Sequence, residues 1–165
     1  MVMKTRAYLG LGSNLDAPIE QLRAARTAIC AVMGIEEMAF SSLYRSPSMG
    51  SKNQPDYVNA VMAIQTDLPP LVLLAALQTI ENEHGRVRLE RWGARTLDID
   101  ILLFGDEVLN FPDLVVPHYG MTERTFVLYP LAEIAPDLAI PNHGKLAELV
   151  ARCPLNDLVR LSDVV

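Results

Sequence analysis

Two aspartates in an apolar segment are the residues of this sequence best suited to holding a metal ion. Asp98 and Asp100 alternate with leucine and isoleucine, and this pattern predicts a buried strand over residues 97–104. Because strand side chains alternate between faces, both carboxylates should point the same way, about 6–7 Å apart. Oxygen ligands in this arrangement suit hard cations such as Mg²⁺. An Asp-x-Asp pair is common and often only solvated, so its surroundings decide between a structural and a functional interpretation.

The surroundings favour function, because a cluster of arginines precedes the aspartates with only Glu90 among them. These arginines are Arg86, Arg88, Arg91 and Arg95. Carboxylates, a metal and arginines in one place are the layout expected for phosphate chemistry. The whole chain carries a formal charge of −6, so the basic segment indicates a small anionic ligand rather than a nucleic acid.

Composition predicts an ordinary globular protein. The chain has 165 residues, of which 50% are hydrophobic and 21% charged, so we expect a single domain over residues 1–165. We expect neither a membrane span nor a signal peptide. Cys30 and Cys153 fit no metal or redox spacing, which predicts free thiols and a cytoplasmic location. We also expect a monomer.

The order of predicted elements is strand-helix-strand-strand-helix-strand. Pro18 and Gly34 mark the ends of the first helix, and Pro69-Pro70 and Gly85 mark those of the second. The predicted strands are 7–11, 39–44, 57–66 and 97–104; the helices are 17–33 and 70–84; residues 12–14 are a turn and 45–55 a loop. This βαββαβ order predicts an α+β fold, with a ferredoxin-like core, an antiparallel sheet and helices on its faces. A proline-rich C-terminal extension with short helices, one of them over 146–152, should follow Phe111.

Two other classes of protein share some features with this sequence. Gly10-Leu11-Gly12 lies between a predicted strand and helix, and Glu36 lies about 20 residues further on, as in dinucleotide-binding oxidoreductases. However, Leu15 replaces the third glycine, and the element order is wrong for that fold. No P-loop sequence is present. A ferredoxin-like regulatory module that binds a small ligand is the second alternative, and it would not require paired aspartates beside arginines.

Three further groups of polar and aromatic residues could bind a ligand. Tyr57 and Asn59 share a strand face, and a ring beside an amide suits the edge of a heterocycle. Gln78 and Glu81 face together on the second helix, although taken alone such a pair is usually solvated. The third group is mixed aromatic and basic, although a histidine after a proline is usually a loop residue; it consists of His118, Tyr119, Arg124 and Phe126.

Taken together, the sequence resembles the 6-hydroxymethyl-7,8-dihydropterin pyrophosphokinase family of folate biosynthesis. The motifs that carry the resemblance come in the family's order between Arg6 and Leu149. They are Gly12-Ser13-Asn14-Leu15, Tyr44-Arg45-Ser46-Pro47, Asp56-Tyr57-Val58-Asn59, Gly85-Arg86-Val87-Arg88, Arg91-Trp92-Gly93, Arg95-Thr96-Leu97-Asp98-Ile99-Asp100, Val116-Pro117-His118-Tyr119, and Arg124 with Phe126. Ala94 stands where the family usually has proline, and Ser46 where threonine is frequent.

The resemblance implies transfer of pyrophosphate from MgATP, the co-substrate, to the hydroxymethyl group of the pterin, with release of AMP. It implies that Asp98 and Asp100 bind two Mg²⁺ ions and act in catalysis with Arg86 and Arg95. The implied pterin-binding residues are Ser46, Pro47, Met49, Tyr57, Asn59, Trp92 and Phe126. The implied ATP-binding residues are Gln78, Glu81, Arg88, Arg91, Ile101, His118, Tyr119 and Arg124. The arginines and Trp92 are expected in a loop that closes over both substrates.

Overall fold

The fold is described from a computed structural model. The structure describes residues 3–14, 17–46, 56–84, 97–155 and 157–161. The strands are β1 Thr5–Ser13, β2 Ile35–Phe40, β3 Leu43–Ser46, β4 Tyr57–Thr66, β5 Asp98–Phe104, β6 Leu109–Phe111, β7 Leu114–Val116, β8 Ala139–Ile140, β9 Gly144–Lys145 and β10 Val159–Leu161. The helices are α1 Pro18–Cys30, α2 Pro70–His84, α3 Thr125–Ile134 and α4 Leu146–Ala151, with a 3₁₀ turn at Met121–Glu123.

One antiparallel sheet forms the centre of the molecule. Its strands follow the order β10-β3-β4-β1-β5, and β2 pairs with the far end of β4, beyond β3. Strand β1 therefore lies between β4 and β5, antiparallel to both. The mixed composition of helices and antiparallel strands that the sequence predicted is confirmed. The dinucleotide-binding fold is excluded, because it requires a parallel neighbour for the first strand.

Each face of the sheet packs against its own pair of helices. Leu9, Met62 and Ile101 share one buried cluster with the apolar residues of α1 and α2. Residues next to them in the strands, such as Tyr8 and Val61, point to the opposite face and share a second cluster with α3 and α4. This two-sided burial explains why the central strands are apolar at nearly every position. Within the described ranges, no helix is long and apolar enough to cross a membrane.

The predicted turn at residues 12–14 is wrong, because β1 continues through Ser13. Gly10 and Gly12 pair with residues of both neighbouring strands, so they lie inside the sheet. Glycine is usually read as a turn signal, but here it lies where another side chain approaches the backbone closely. The predicted loop at 45–55 also begins too early, because Arg45 and Ser46 belong to β3.

The single strand predicted over residues 39–44 is in fact the end of β2 and the start of β3. Phe40 pairs with Met62 and Tyr44 with Asn59. The four-residue step from Phe40 to Tyr44 therefore lies opposite a three-residue step on β4. The extra residue breaks the ladder at Ser41 and Ser42. The buried Ser41 hydroxyl accepts the Val61 backbone N–H at 2.9 Å and compensates for part of this interruption.

The C-terminal part of the chain contains more regular structure than its prolines suggested. Helix α3 runs for ten residues with Pro130 inside it, and α4 lies where a helix was predicted. Strand β10 was not predicted, and it extends the central sheet by pairing with β3. Short strands of three residues carry too little periodicity to be read from sequence.

Candidate active site

Two glycines of β1 form the floor of the candidate site. In the sheet register, Gly12 lies between Asn59 on β4 and Asp98 on β5, while Gly10 lies beside Asp100. A Cβ atom added to Gly12 would lie 2.8 Å from Oδ1 of Asn59. Glycine at this position therefore lets polar side chains from both neighbouring strands converge above β1.

Asp98 and Asp100 lie on the same sheet face as these glycines, as the alternation of β5 predicted. The expectation that they are buried is only partly met. Asp98 is half-buried and the Asp100 side chain is 50% exposed, whereas Ile99 between them is buried in the core. Both carboxylates are thus accessible to a ligand at the end of an otherwise buried strand.

His118 lies beside the second aspartate. Its Nε2 atom is 4.0 Å from Oδ2 of Asp100, and its backbone N–H donates to the Leu102 carbonyl at 3.0 Å. Nδ1 accepts the backbone N–H of Gly120 at 3.2 Å, which places the proton of a neutral ring on Nε2. Burial lowers the pKa of His118, opposed by Asp100 and assisted by Arg124. The imidazole is therefore favoured as a neutral donor toward the site.

The aromatic and basic residues that the sequence grouped together, from His118 to Phe126, also lie close together in the structure. The rings of His118 and Tyr119 stack with centroids 4.8 Å apart. The Arg124 guanidinium lies 5.7 Å from the Tyr119 ring and 5.8 Å from the Phe126 ring. Tyr119 is 79% exposed, so a flat ligand can reach its ring.

On the other side of Gly12, Asn59 is the centre of a polar group. Its Nδ2 atom donates to the Ser46 hydroxyl at 3.0 Å, and the side chain is nearly buried. Tyr57 lies two residues earlier on the same face, half-buried at the start of β4, and pairs with Ser46. The ring and amide that the sequence placed together are thus adjacent in the sheet.

Gln78 and Glu81, both on α2, have different environments in the structure. Gln78 is exposed, whereas Glu81 is buried and accepts the backbone N–H of Ile99 at 2.8 Å. A carboxylate that holds the backbone of β5 fixes the strand that carries both aspartates. The interpretation of Glu81 as part of a solvated stripe is wrong. Ile101, two residues further along β5, is buried against the same helix layer.

Seven predicted site residues lie outside the described residues, and the structure gives no account of them. They are Pro47, Met49, Arg86, Arg88, Arg91, Trp92 and Arg95. The predicted closing loop at 85–95 falls in the same undescribed range.

Two further polar residues near the site were missed by sequence reasoning. Asn14, just beyond β1, is fully buried, and within the described part of the chain its amide nitrogen and oxygen have no hydrogen-bond partner. Glu133 on α3 accepts the Tyr44 hydroxyl at 2.6 Å. Burial and this carboxylate raise the pKa of Tyr44, so the hydroxyl remains a donor. No local pattern marks Glu133, because its partners are about 90 residues away.

Accessible carboxylates beside an imidazole and a guanidinium, next to an amide and aromatic rings, indicate an enzyme that acts on a phosphorylated ligand and a flat heterocycle. Residues 8–136 match the family model of 7,8-dihydro-6-hydroxymethylpterin-pyrophosphokinase, and the chain belongs to this family. The predicted family and enzyme class are confirmed, and the family implies ATP as co-substrate.

Two curated relatives are similar in sequence to this chain along almost its whole length. A 2-amino-4-hydroxy-6-hydroxymethyldihydropteridine pyrophosphokinase of Haemophilus influenzae is 51% identical over 156 residues, covering 94% of this chain and 98% of the relative. One of Pseudomonas aeruginosa is 53% identical over 159 residues, covering 96% and 98%.

The fold is also found among solved structures. The crystal structure of wild-type Plasmodium falciparum HPPK-DHPS matches with a TM-score of 0.70 at 14% identity. The match covers 91% of this chain and 45% of that one, so the chain spans less than half the length of the solved relative. At this identity the match shows the fold alone.

Proposed function

We propose that the chain carries out its family's reaction on the glycine-bearing face of the sheet, between Asn59 and Asp98. The reaction transfers pyrophosphate from ATP to the hydroxymethyl group of 6-hydroxymethyl-7,8-dihydropterin and belongs to folate biosynthesis. The observation that carries the proposal is the register. Gly12 separates an amide that suits a pterin edge from carboxylates that suit a metal-bound phosphate chain.

We assign the pterin to the Asn59 side of this floor. The Asn59 amide offers both a donor and an acceptor, which match the alternating groups on the edge of a pterin ring. Tyr57 and Phe126 are both half-buried, and we propose that they stack on the two faces of the ring. Ser46 supports Asn59 through its hydroxyl. On sequence grounds we add Pro47, Met49 and Trp92 to this subsite.

We assign two Mg²⁺ ions to Asp98 and Asp100. Within the described residues there is no group of three or more histidine, cysteine, aspartate or glutamate side chains that could enclose a metal. The two carboxylates of Asp98 and Asp100 fit Mg²⁺, which commonly binds through one or two carboxylates, with water and substrate phosphates completing the shell. When bound, the ions would neutralise charge on the phosphate chain.

We assign the nucleotide to the side of His118. Tyr119 offers an exposed ring, and Arg124 a guanidinium beside it. The half-buried His118 offers an Nε2–H donor. On sequence grounds we add Gln78, Glu81 and Ile101 to the ATP site; Glu81 and Ile101 are buried on the α2 side of the sheet, so they would contribute from the opposite face of β5. We also propose that Arg88 and Arg91 bind the phosphates, and that Arg86 and Arg95 stabilise the charge that develops during transfer.

The chemistry that these residues support is an in-line displacement. The pterin hydroxyl oxygen forms a bond to the β-phosphorus of ATP, the bond from that phosphorus to the α-phosphate oxygen breaks, and AMP leaves. In this scheme Asp98 either orients the hydroxyl or accepts its proton. The arginines and carboxylates position the reactants, which is the main protein contribution in this type of transfer.

We further propose a ferredoxin-like core with a proline-rich C-terminal extension. The sheet order β3-β4-β1-β5, with α1 and α2 on one face, supports the core assignment. We propose one domain over residues 1–165 and a monomer. The two free cysteines, one exposed and one half-buried, support a reducing, cytoplasmic location.

The stacking assignment can be tested by alanine substitution. Tyr57→Ala or Phe126→Ala should weaken pterin binding by about 1–3 kcal/mol, because each removes an aromatic face from the ring. ATP binding should change much less. Titration with each ligand separately checks this, and Phe111→Ala on β6 is a matched aromatic control outside the assigned site. Equal losses for both ligands would contradict the separate pterin subsite.

A further inference from the structure

Glu133 on α3 joins two strands that are distant from it in sequence. Its Oε2 atom accepts the Ser42 backbone N–H at 2.9 Å and the Ser42 hydroxyl at 3.0 Å. Its Oε1 atom accepts the Tyr44 hydroxyl at 2.6 Å. Nη2 of Arg160 on β10 lies 3.5 Å from the same carboxylate, and its Nε donates to the Ser42 hydroxyl at 3.1 Å. Both carboxylate oxygens therefore accept hydrogen bonds from donors on or beside β3.

The strand held by Glu133 is the one that borders the proposed pterin floor. Tyr44 pairs with Asn59 in the register, and Ser46 pairs with Tyr57. The Ser46 hydroxyl in turn accepts the Asn59 amide. Tyr44 and Ser46 share a strand face about 6–7 Å apart, so fixing the first sets the position of the second.

Strand β3 needs such an anchor, because it is only four residues long and the ladder is broken just before it. At the break, the Ser42 backbone N–H is accepted by Glu133 instead of a neighbouring strand. A carboxylate acceptor makes hydrogen bonds stronger than a neutral one does, and the bond from the Tyr44 hydroxyl is short at 2.6 Å.

We infer that Glu133 is a positioning residue for pterin recognition, which acts through Tyr44 and Ser46 to orient the Asn59 amide. This inference rests on the proposed role of Asn59 at the pterin edge. Glu133 does not touch the substrate. Its effect is to keep β3 in the register that places the Ser46 hydroxyl opposite the amide nitrogen, so that the Asn59 oxygen stays above Gly12.

The test uses two conservative variants and one matched control. Glu133→Gln keeps the shape but leaves a single acceptor oxygen, so one of its partners loses an acceptor. Tyr44→Phe removes only the hydroxyl and keeps the buried ring, which makes it the variant least liable to unfold. Tyr129→Phe is the control, because that hydroxyl also lies on α3 but donates to the Cys153 carbonyl at 2.8 Å, away from β3.

We expect Glu133→Gln and Tyr44→Phe each to weaken binding of 6-hydroxymethyl-7,8-dihydropterin about tenfold, the loss typical of one charge-assisted hydrogen bond. Binding of a non-hydrolysable MgATP analogue should change by less than about twofold. Tyr129→Phe should leave both affinities unchanged. The double variant should lose little more than either single one, because both act on one interaction.

Asn59→Ala serves as the reference that separates this inference from the proposed function. If Asn59→Ala weakens pterin binding but Glu133→Gln and Tyr44→Phe do not, the positioning role is overturned and the proposed pterin site stands. Equal losses of pterin and nucleotide binding in Glu133→Gln, with a lowered melting temperature, would also overturn it in favour of a general structural role. If Asn59→Ala leaves pterin binding unchanged, the proposed pterin site itself is overturned, and the inference with it.

Discussion

Asp98 and Asp100 differ from other aspartates of the chain in what surrounds them. They lie on a buried strand, next to the glycines of β1 and a neutral histidine, whereas Asp106 lies in an exposed turn. Asp98→Asn or Asp100→Asn should lower kcat by about 10²–10³-fold, because each removes a charge that helps neutralise the transferring group. The fold should be retained, since removing one of two like charges relieves repulsion.

Steady-state kinetics and thermal unfolding of the two variants check this prediction, with Asp106→Asn as the control for loss of an aspartate charge. Near-normal turnover in both Asp98→Asn and Asp100→Asn would remove the metal assignment.

The two buried asparagines near the site should respond differently to loss of their amides. Within the described part of the chain, Asn14 has no hydrogen-bond partner for either amide atom, whereas Asn59 donates to Ser46. Asn14→Leu, which has a similar volume, should leave the free energy of unfolding unchanged or raise it by about 1–3 kcal/mol, because an unsatisfied polar group is removed from the interior.

Asn59→Leu should lower the free energy of unfolding by a similar amount, because Ser46 loses its partner. Urea denaturation of the free chain measures both variants. Destabilisation by Asn14→Leu as large as that by Asn59→Leu would show that the Asn14 amide is satisfied in the folded chain.

Residue-level chemistry was partly predictable because it depends on short spacings. Asp98 with Asp100, and Tyr57 with Asn59, each lie two residues apart on a strand, so alternation alone places each pair on one face. Glu133 and Ser42 are separated by about 90 residues in the chain, and no spacing rule links them. The buried hydrogen bond of Glu81 was missed for the same reason, because helical periodicity does not reveal what the helix packs against.

Strand β1 is the element whose composition most directly reflects the site. Gly12→Ala should retain the fold but weaken pterin binding, because the new Cβ would lie 2.8 Å from the Asn59 oxygen and force the amide to rotate away from Ser46. We expect a loss of about 1–3 kcal/mol in pterin binding, the cost of leaving polar partners mismatched.

Gly10→Ala is the matched control on the same strand. Its Cβ would lie 3.3 Å from a flexible end of the Leu102 side chain, so the neighbour can adjust by a few tenths of an ångström. Pterin titration should therefore show a clearly smaller change. An affinity loss for Gly10→Ala equal to that for Gly12→Ala would indicate a general strand defect instead of a clash with Asn59.

Elements with strong periodicity or clear ends were predicted well. β4 has the predicted bounds, and α1 and α2 begin at or next to the expected prolines, although α1 ends at Cys30, before the predicted end at residue 33. The failures occur where tertiary contacts override a local signal. Gly12 marks close packing and not a turn. The break at Ser41 and Ser42 is stabilised by hydrogen bonds between Ser41 and the Val61 backbone and between Ser42 and Glu133. Strand β10 pairs with β3, and the local sequence of residues 159–161 does not reveal this edge.

At the scale of the whole molecule, the two faces of the sheet differ in composition and packing. The face covered by α1 and α2 is an apolar core, in which the buried Glu81 holds the backbone of β5. The other face carries the α3 and α4 core at one end and the glycine floor with its polar side chains at the other. The candidate site is therefore built on three adjacent strands of one sheet, β4, β1 and β5, and their backbone hydrogen bonds limit its flexibility.

This division explains what the sequence could and could not reveal about the site as a whole. The residues of the central strands were identifiable because they combine apolar neighbours with isolated polar side chains. The contributions of α3 and β10 depend on the packing of the second face, which follows from the complete fold. The arginine segment was the clearest chemical signal in the sequence, and its placement relative to Asp98 stays a prediction.

The most direct test of the central claim is the identity of the products. Purified chain is incubated with MgATP and 6-hydroxymethyl-7,8-dihydropterin, and the phosphorus signals are followed by ³¹P NMR. The account predicts AMP and a pterin diphosphate in equal amounts, and no AMP when the pterin is omitted. Formation of ADP with a pterin monophosphate, or AMP release that does not depend on the pterin, would contradict it.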